Sequence, residues 1–288
     1  MESRYIQANG LTFHVKESGE GPLLLLLHGF PEFWHSWHKV IPLLNSDFKV
    51  IAVDMRGYGR SDKPRFVRDY HYKTLAADIA GIIDAFNVNQ AIVVGHDWGA
   101  GVAWSFASLY PGMVEKLIII NCPPPSLLFK SLITRWQQFK MSWYILFFQL
   151  PFIPEWWMNK NRKSFFWGIL RGSSVKKEVF TKEIISEYEK SFTGQSDFRG
   201  PAHYYRAAAR ALREKEYRTT PLYSVETLVI WGMQDKAMGP WFLDDLPRYF
   251  TNKFKIERLQ NCSHWVQHEE PEITAQLIRD FVLGKVES

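Results

Sequence analysis

The stretch Val93-Val94-Gly95-His96-Asp97-Trp98-Gly99-Ala100 decides how this chain folds, because it joins an apolar run to a helical one through a sharp turn. Residues 91–94 are typical of a buried strand. The pattern that follows is Gly-x-Asp-x-Gly, and small residues two positions either side of the tip relieve the crowding of a strand-to-helix turn. The sequence therefore predicts that Asp97 is held out at the top of a sheet, where the common form of this turn carries a serine.

A carboxylate at this position changes the chemistry of the turn. A free aspartate has a pKa of about 3.9, so the side chain is already ionised at neutral pH and is a nucleophile without help from a base. It can open a strained or activated carbon and become an ester. A histidine is then left free to activate water against that ester, and Asp97 is the predicted nucleophile.

Length, composition and charge limit the class of protein. With 288 residues, of which 46% are hydrophobic, the chain is long and apolar enough for one α/β domain with an insertion. The net charge of +5 is spread out, and its densest cluster, Lys160, Arg162 and Lys163, favours a solvated loop and no nucleic-acid partner. Two isolated cysteines, Cys122 and Cys262, indicate buried thiols in a reducing compartment, and we expect a cytoplasmic protein.

The N-terminal residues do not have the pattern of a signal peptide, and no segment predicts a stable membrane span. The most apolar long segment, residues 143–157, is interrupted by Gln149, Pro151, Pro154 and Glu155, which argues against a transmembrane helix. Peripheral contact with a membrane through this aromatic segment is left open.

Alternating strand and helix patterns predict an open α/β sheet. Residues 5–8 and 11–15 flank Asn9-Gly10, a pair typical of a tight hairpin turn. Six short apolar runs fit further strands of the sheet: 23–27, 50–53, 91–94, 117–120, 227–231 and 254–259. Residues 126–220 are helical in character and interrupt this series. We therefore predict a core of residues 1–122 and 221–288, with a helical insertion at 123–220.

Two further side chains follow strands of the predicted core. Asp235 comes after the strand that ends at Gly232, and His264 comes after the next strand. Open α/β sheets place their sites at such carboxyl ends. The chain order nucleophile, acid, histidine fits a triad in which Asp235 orients His264.

Other residues of the same types compete for these roles. A lone aspartate in a loop is usually a turn or cap residue, and a lone histidine is more often structural than catalytic. Asp244 and Asp245 fall in a probable helix further from the strand end, and His268 lies further down its loop than His264. The ordered set favours Asp235 and His264.

The loop His28-Gly29-Phe30-Pro31 follows the strand at 23–27 and is predicted to lie opposite Asp97. Its backbone can complete an oxyanion hole, for which we expect the N–H groups of Phe30 and Trp98. The glycine-rich stretch 56–62 lacks phosphate-binding spacing and is interpreted as structural. The nine histidines form no metal-ligand pattern, so the sequence predicts no metal and no cofactor.

At these residues the chain resembles the α/β-hydrolase superfamily, and within it the epoxide hydrolases of the soluble and microbial type. The likeness runs nearly end to end, and its strongest marks are residues 28–32, 56–61 and 95–99, Asp235 after Trp231-Gly232, and Ser263-His264-Trp265. The resemblance implies the α/β-hydrolase fold, with the insertion at 123–220 as a helical cap domain.

The resemblance also implies two cap tyrosines that hold the epoxide oxygen. The segment 143–149 points to Tyr144 and the segment 203–206 points to Tyr205, with Tyr204 as a rival. Adjacent helical residues face about 100° apart, so only one of the latter pair should point at the site. A phenol is a suitable proton donor to the alkoxide that forms when an epoxide opens.

The sequence hypothesis is therefore an epoxide hydrolase, with a small apolar epoxide and water as its partners. The residues predicted to bind an aryl or alkyl epoxide are Phe30, Trp34, Trp98, Tyr144 and Tyr205. One alternative is a haloalkane or haloacid dehalogenase with the same aspartate nucleophile. Trp98 beside the nucleophile is shared with the haloalkane type, but Phe30 stands where many of those enzymes have an asparagine, and Trp98 stands where the fluoroacetate type usually has an arginine. A non-catalytic binding protein on the same scaffold is the third alternative, and the complete triad argues against it. The oligomeric state is left open.

Overall fold

A single eight-stranded sheet forms the centre of the protein in the computed structural model, which describes residues 1–284. The strands are β1 (Glu2–Ala8), β2 (Leu11–Ser18), β3 (Leu23–Leu27), β4 (Lys49–Val53), β5 (Ala91–His96), β6 (Val114–Ile120), β7 (Thr227–Gly232) and β8 (Phe254–Leu259). Their order across the sheet is β1-β2-β4-β3-β5-β6-β7-β8. β1 and β2 pair antiparallel, β2 pairs antiparallel with β4, and the remaining neighbours are parallel. The predicted α/β-hydrolase fold is confirmed, and each predicted strand is present.

The α-helices of the described chain connect these strands. They are α1 (Ile41–Leu44), α2 (Tyr72–Ala85), α3 (Trp98–Leu109), α4 (Pro125–Thr134), α5 (Trp136–Met141), α6 (Tyr144–Phe147), α7 (Ile153–Lys160), α8 (Arg162–Phe166), α9 (Lys182–Ser191), α10 (Arg199–Ala211), α11 (Lys215–Arg218), α12 (Phe242–Asp245), α13 (Val266–Glu269) and α14 (Pro271–Leu283). A short π-helical turn, Trp167–Arg171, follows α8.

The central strands are buried on both faces, which explains their unbroken apolar runs. All five leucines of β3 are buried, and alternate residues join two separate cores. Leu25 and Val93 pack with α2 and α3 on one face, whereas Leu24 and Ile92 pack with α1 and α14 on the other. At the sheet edge, Asn9-Gly10 turns the β1–β2 hairpin with φ of 46° and 74°, as a primed turn requires.

Helices α4 to α11 form the insertion between β6 and β7. The insertion contacts the core through α10, where the Tyr204 hydroxyl donates to the Arg56 carbonyl oxygen over 3.0 Å. The prediction of a solvated loop at the basic cluster was wrong. Lys160 ends α7, while Arg162 and Lys163 begin α8, because a one-residue turn at position 161 separates two short helices. Among the described residues, no helix has both the length and the apolarity to cross a lipid bilayer.

Candidate active site

Asp97 sits on a strained turn between β5 and α3. Its φ of 48° and ψ of −116° lie in a region that residues with a Cβ rarely occupy. The turn closes because two glycines allow the backbones to approach. A Cβ on Gly95 would lie 2.6 Å from the Gly99 carbonyl oxygen, and one on Gly99 would lie 2.3 Å from the Leu27 carbonyl oxygen. This local geometry explains the Gly-x-Asp-x-Gly pattern, and it places the Asp97 carboxylate at the carboxyl end of the sheet.

The structure brings Asp97, Asp235 and His264 together from three strand ends. The His264 Nδ1–H donates to Asp235 Oδ2 over 2.7 Å. The opposite ring nitrogen, Nε2, lies 3.5 Å from Asp97 Oδ2. All three residues are more than nine-tenths buried. One imidazole therefore lies between two carboxylates, with one orienting it and the other facing its free nitrogen.

Asp235 is fixed by several donors, including one residue that the sequence analysis missed. Asn121 Nδ2 donates to Asp235 Oδ2 over 2.6 Å, and the amides of Ala237 and Met238 donate to Oδ1 over 2.6 and 2.9 Å. The Asn121 side-chain oxygen accepts from the Gly232 amide, which ties the loop after β6 to that after β7. Asn121 directly follows a buried strand, so the strand-end rule that selected Asp235 also indicated this residue.

The charges around His264 set its protonation. Burial alone lowers the pKa of His264, but Asp235 and Asp97 together raise that pKa well above its usual value. Burial likewise raises the pKa of Asp235, but the His264 charge and the donated hydrogen bonds hold it below its usual value. This raised pKa favours the imidazolium form of His264 in the resting site.

One of the two amides expected to form an oxyanion hole contacts Asp97. The Phe30 amide donates to Asp97 Oδ1 over 2.8 Å, which leaves Oδ2 on the side of His264. Gly29 allows this approach, because a Cβ there would lie 2.4 Å from the Asp97 Cβ. Within the described chain, no hydrogen bond joins the Trp98 amide to the Asp97 carboxylate. Its role as the second donor stays a prediction.

A buried polar network around Glu32 stabilises the loop that carries His264. Glu32 is fully buried, and its carboxylate lies 2.8 Å from His96 Nδ1 and 3.1 Å from His268 Nε2. Burial raises the pKa of Glu32, but the two histidines bring it well below its usual value. His96 Nε2 also donates to the His264 carbonyl oxygen over 2.9 Å, so the network fixes the backbone of the catalytic loop. His268, the rival of His264, lies in this network and away from Asp97, among the contacts of Glu32 and Tyr188.

Above Asp97 lies an apolar cavity of about 660 Å³ between the core and the insertion. Its walls are mostly aromatic, and its polar lining includes Asp97 and His264. Aromatic lining residues are Phe30, Trp143, Tyr144, Phe147, Phe148, Trp157, Phe165, Tyr205 and Trp265. Trp34, which was expected at the mouth, does not line it. The Trp34 amide donates to Asp54 Oδ1 over 2.8 Å and its ring lies 4.9 Å from Lys16 Nζ, so the prediction for Trp34 was wrong.

A second, narrower cavity of about 110 Å³ meets the first at Asp97, Tyr144 and Tyr205. Trp98 lines this second arm, together with apolar residues of α4 and α10. The carboxylate therefore lies where two apolar arms join. A ligand with a reactive carbon in its middle and an apolar group on each side fits this arrangement.

The rotation of α10 separates the two candidate tyrosines. Tyr205 faces the cavity, with its ring 4.9 Å from the ring of Trp98 and 6.0 Å from that of Tyr144. Tyr204 points the other way, where its hydroxyl is bonded to the Arg56 carbonyl oxygen. Burial and the Asp97 charge raise the pKa of Tyr144 and of Tyr205 well above the usual value, so both phenols keep their protons at neutral pH.

The structure also bears on metal binding and on thiol chemistry. In the range 1–284, no group of three or more His, Cys, Asp or Glu side chains is arranged to hold a metal ion. Cys122 and Cys262 are both free and buried.

Comparison with known proteins agrees with this geometry. The family model for the α/β-hydrolase fold matches residues 22–271. The AB hydrolase superfamily protein YfhM of Bacillus subtilis is 38% identical, over 98% of each chain. Epoxide hydrolase 1 of Caenorhabditis elegans is 35% identical, over 98% of this chain and 70% of its own. The inhibitor-bound crystal structure of the epoxide hydrolase of Bacillus megaterium superposes with a TM-score of 0.86 at 31% identity, covering 97% of this chain and 100% of that one.

The close approach of backbones at the Asp97 turn predicts that alanine has opposite effects on the free energy of unfolding at Gly99 and at Gly101. Gly99→Ala should lower the free energy of unfolding by about 2 kcal/mol or more, since its Cβ would lie 2.3 Å from the Leu27 carbonyl oxygen. In Gly101→Ala, in the same helix, the new Cβ would lie 3.8 Å from Trp98 Cε3, an ordinary van der Waals contact, so this change should stabilise the protein by about 0.5 kcal/mol. Urea unfolding measures both, and equal losses would contradict this account of the turn.

Proposed function

This chain belongs to the epoxide hydrolases of the α/β-hydrolase family, and we propose that it converts apolar aryl or alkyl epoxides to vicinal diols through a covalent ester on Asp97. One observation carries the proposal. The Asp97 carboxylate lies at the junction of two apolar arms, between the Phe30 amide and the His264 imidazole, with Tyr144 and Tyr205 in the same cavity wall. This arrangement supplies a nucleophile, a base and proton donors around one buried point.

In the first step, a carboxylate oxygen of Asp97 attacks an epoxide carbon and the carbon–oxygen bond of the ring breaks. The oxygen that leaves takes a proton from Tyr144 or Tyr205. Their raised pKa values favour the neutral phenol as the donor at neutral pH. A hydroxyalkyl ester of Asp97 remains, and the negative charge moves to the phenolate. The His264 imidazolium then restores the phenol proton by way of water, which leaves His264 neutral.

In the second step, His264 removes a proton from water, and the resulting hydroxide attacks the carbonyl carbon of the ester. The Phe30 amide, with that of Trp98, stabilises the oxyanion that forms. When the intermediate collapses, its bond to the alkyl oxygen breaks and that oxygen takes the proton left on the new carboxyl group. The products are the diol and the Asp97 carboxylate, and His264 is again an imidazolium. Ester formation helps this step, because it removes the Asp97 charge, one of the two that raise the pKa of His264.

The helical insertion acts as the cap in this proposal. It contributes both tyrosines and most of the apolar lining, and it shields the ester from bulk water. A cavity of about 660 Å³ fits an aryl or long alkyl substituent, while the arm of about 110 Å³ fits a smaller one. The two buried, free thiols support a cytoplasmic location.

The dehalogenase alternative is not favoured. Two of the compared proteins, at 35% and 31% identity, are named epoxide hydrolases, and neither is named a dehalogenase. A halide leaves without taking a proton, whereas the oxygen of an opening epoxide needs one, and the two neutral phenols in the cavity wall can supply it.

Replacing the base should trap the covalent intermediate. His264→Gln should form the ester at a measurable rate but hydrolyse it at least about 100-fold more slowly, because no base remains for water. Intact-protein mass spectrometry after mixing with a styrene-type epoxide should show one added epoxide mass. Asp97→Asn should show neither adduct nor diol. An unmodified His264→Gln protein would contradict the two-step route, and halide release from a chloroalkane without diol formation from epoxides would favour the dehalogenase.

The two tyrosines should affect only the first step. Tyr205→Phe and Tyr144→Phe should each slow ester formation by about 10- to 100-fold, because one phenol is lost as proton donor. Tyr204→Phe is the matched control. It removes the hydroxyl that bonds the Arg56 carbonyl oxygen, so it should cost about 1 kcal/mol of stability and leave ester formation unchanged. Rapid mixing with mass detection of the ester measures all three. An equal loss in Tyr204→Phe would contradict the assignment.

Hydrolysis of the ester should depend on pH through His264. Protonated His264 cannot accept a proton from water, so the rate should rise about tenfold per pH unit until the imidazole of the ester form is neutral, and then level off. The apparent pKa of this step should lie below that of His264 in the free enzyme, because the ester removes the Asp97 charge. Single-turnover decay of the ester from about pH 5 to about pH 9 measures the first value, and NMR titration of the imidazole measures the second. A pH-independent decay would exclude His264 as the base.

A further inference from the structure

Helices α5 to α8 of the insertion and the adjoining turns expose an unusual number of large apolar side chains. Phe152 is 76% exposed, Trp136 is 65% exposed and Trp143 is 62% exposed. Leu146, Trp156 and Trp167 are also exposed. We call these six residues of α5 to α8 and the adjoining turns the aromatic face. Soluble proteins rarely expose such groups together, so a surface of this kind marks an interaction site.

The aromatic face is set among positive charges. Residues 123–175 contain seven lysines and arginines but one acidic residue, Glu155, which is buried in an ion pair with Arg206. Lys140 Nζ lies 5.2 Å from the ring of Trp136, and Lys160 Nζ lies 5.0 Å from that of Trp156. Within residues 1–284, neither lysine forms an ion pair. Exposed tryptophans with neighbouring free ammonium groups are the composition of a surface that binds at an anionic lipid interface.

The cavity above Asp97 opens on this face. Trp143 and Trp157 line the cavity and are also 62% and 42% exposed, and exposed Gly168 completes the same wall. Trp143 therefore belongs both to the cavity wall and to the aromatic face, and Trp157 directly follows Trp156 of that face. A surface that covers this face would also cover the route by which a ligand reaches Asp97.

We propose that the aromatic face binds the surface of an anionic phospholipid bilayer and sets the cavity entrance against the lipid. The tryptophan rings would enter the headgroup region, while Lys140 and Lys160 would meet lipid phosphates and carboxylates. A second copy of this chain fits the face less well, because two such surfaces would bring basic groups against basic groups. The absence of a spanning helix in the described chain makes this contact a peripheral one.

The position of the entrance gives this contact a consequence for catalysis, which rests on the proposed function. Apolar epoxides concentrate in the hydrocarbon of a bilayer. A cavity that opens towards lipid would receive them without passage through water. Epoxides dissolved in anionic vesicles should therefore be turned over faster than the same epoxides in neutral vesicles.

Vesicle binding tests the proposal without depending on turnover. The probes are vesicles of phosphatidylcholine alone and of phosphatidylcholine with phosphatidylserine, and co-sedimentation measures the bound fraction. The wild-type protein should bind the phosphatidylserine vesicles at least about tenfold more tightly than the neutral ones. Trp136→Ala with Trp156→Ala, and separately Lys140→Glu with Lys160→Glu, should each reduce that binding by about tenfold or more.

A matched control replaces an exposed apolar residue and an exposed lysine outside the aromatic face. Leu222→Ala with Lys253→Glu alters an exposed leucine and an exposed lysine that precede β7 and β8, at the end of the sheet opposite the site, and it should bind vesicles like the wild type. Thermal unfolding and hydrolysis of a water-soluble epoxide should be unchanged in all three variants, since none alters a residue that lines the site.

Several results would overturn the proposal. The first is that the wild-type protein binds neither kind of vesicle, and the second is that the face variants bind vesicles as tightly as the wild type does. The third is that the wild-type protein binds no vesicles but forms a dimer in analytical ultracentrifugation, and that the face variants abolish this dimer. Vesicle binding without epoxide turnover would support the lipid surface and count against the proposed function alone. Turnover of epoxides without vesicle binding would support the proposed function and overturn the lipid-surface proposal.

Discussion

The strained turn at Asp97 is the constraint on which the rest of the structure depends. A residue with a Cβ holds φ at 48° there only because the surrounding backbone leaves it no other conformation. Gly95 and Gly99 let β5, α3 and β3 approach within distances that a methyl group would block, and Gly29 does the same on the opposite loop. The result is a carboxylate fixed at a strand end, with one oxygen at the Phe30 amide. Every other part of the site is arranged around that fixed point.

Around Asp97, the protein stabilises a group of buried charged side chains, and removing any one of them would leave another charge buried without a counter-charge. His264 lies between two carboxylates, and burial alone would oppose its positive charge. Asn121 and backbone amides satisfy the remaining oxygens of Asp235, and the Glu32–His96 pair fixes the loop that carries His264. In the proposed cycle, the same charges shift the pKa of one imidazole between the two steps, because ester formation removes one of them.

The insertion adds what the core lacks. The core supplies Asp97 and His264 at the ends of parallel strands, whereas α6 and α10 supply Tyr144 and Tyr205 and part of the apolar walls. The insertion also has two unlike surfaces. Its inner side closes over Asp97, and its outer side is the aromatic face with its lysines. Both surfaces meet at the cavity entrance, so the binding of a substrate and the binding of a surface would involve one small group of helices.

The sequence by itself determined the sheet, the turn and the order of the three charged residues, because apolar runs, turn residues and strand ends are local signals. Only the tertiary structure decided that Tyr205 faces the cavity and Tyr204 does not, since the rotation of α10 depends on its packing against the core. The same reason explains why Trp34 was assigned to the site wrongly. Asn121 is a different case, because its place after a strand end was a local signal, and only its contact with Asp235 needed the tertiary structure. The direction of a side chain is fixed by contacts between residues far apart in sequence, and no local pattern encodes those contacts.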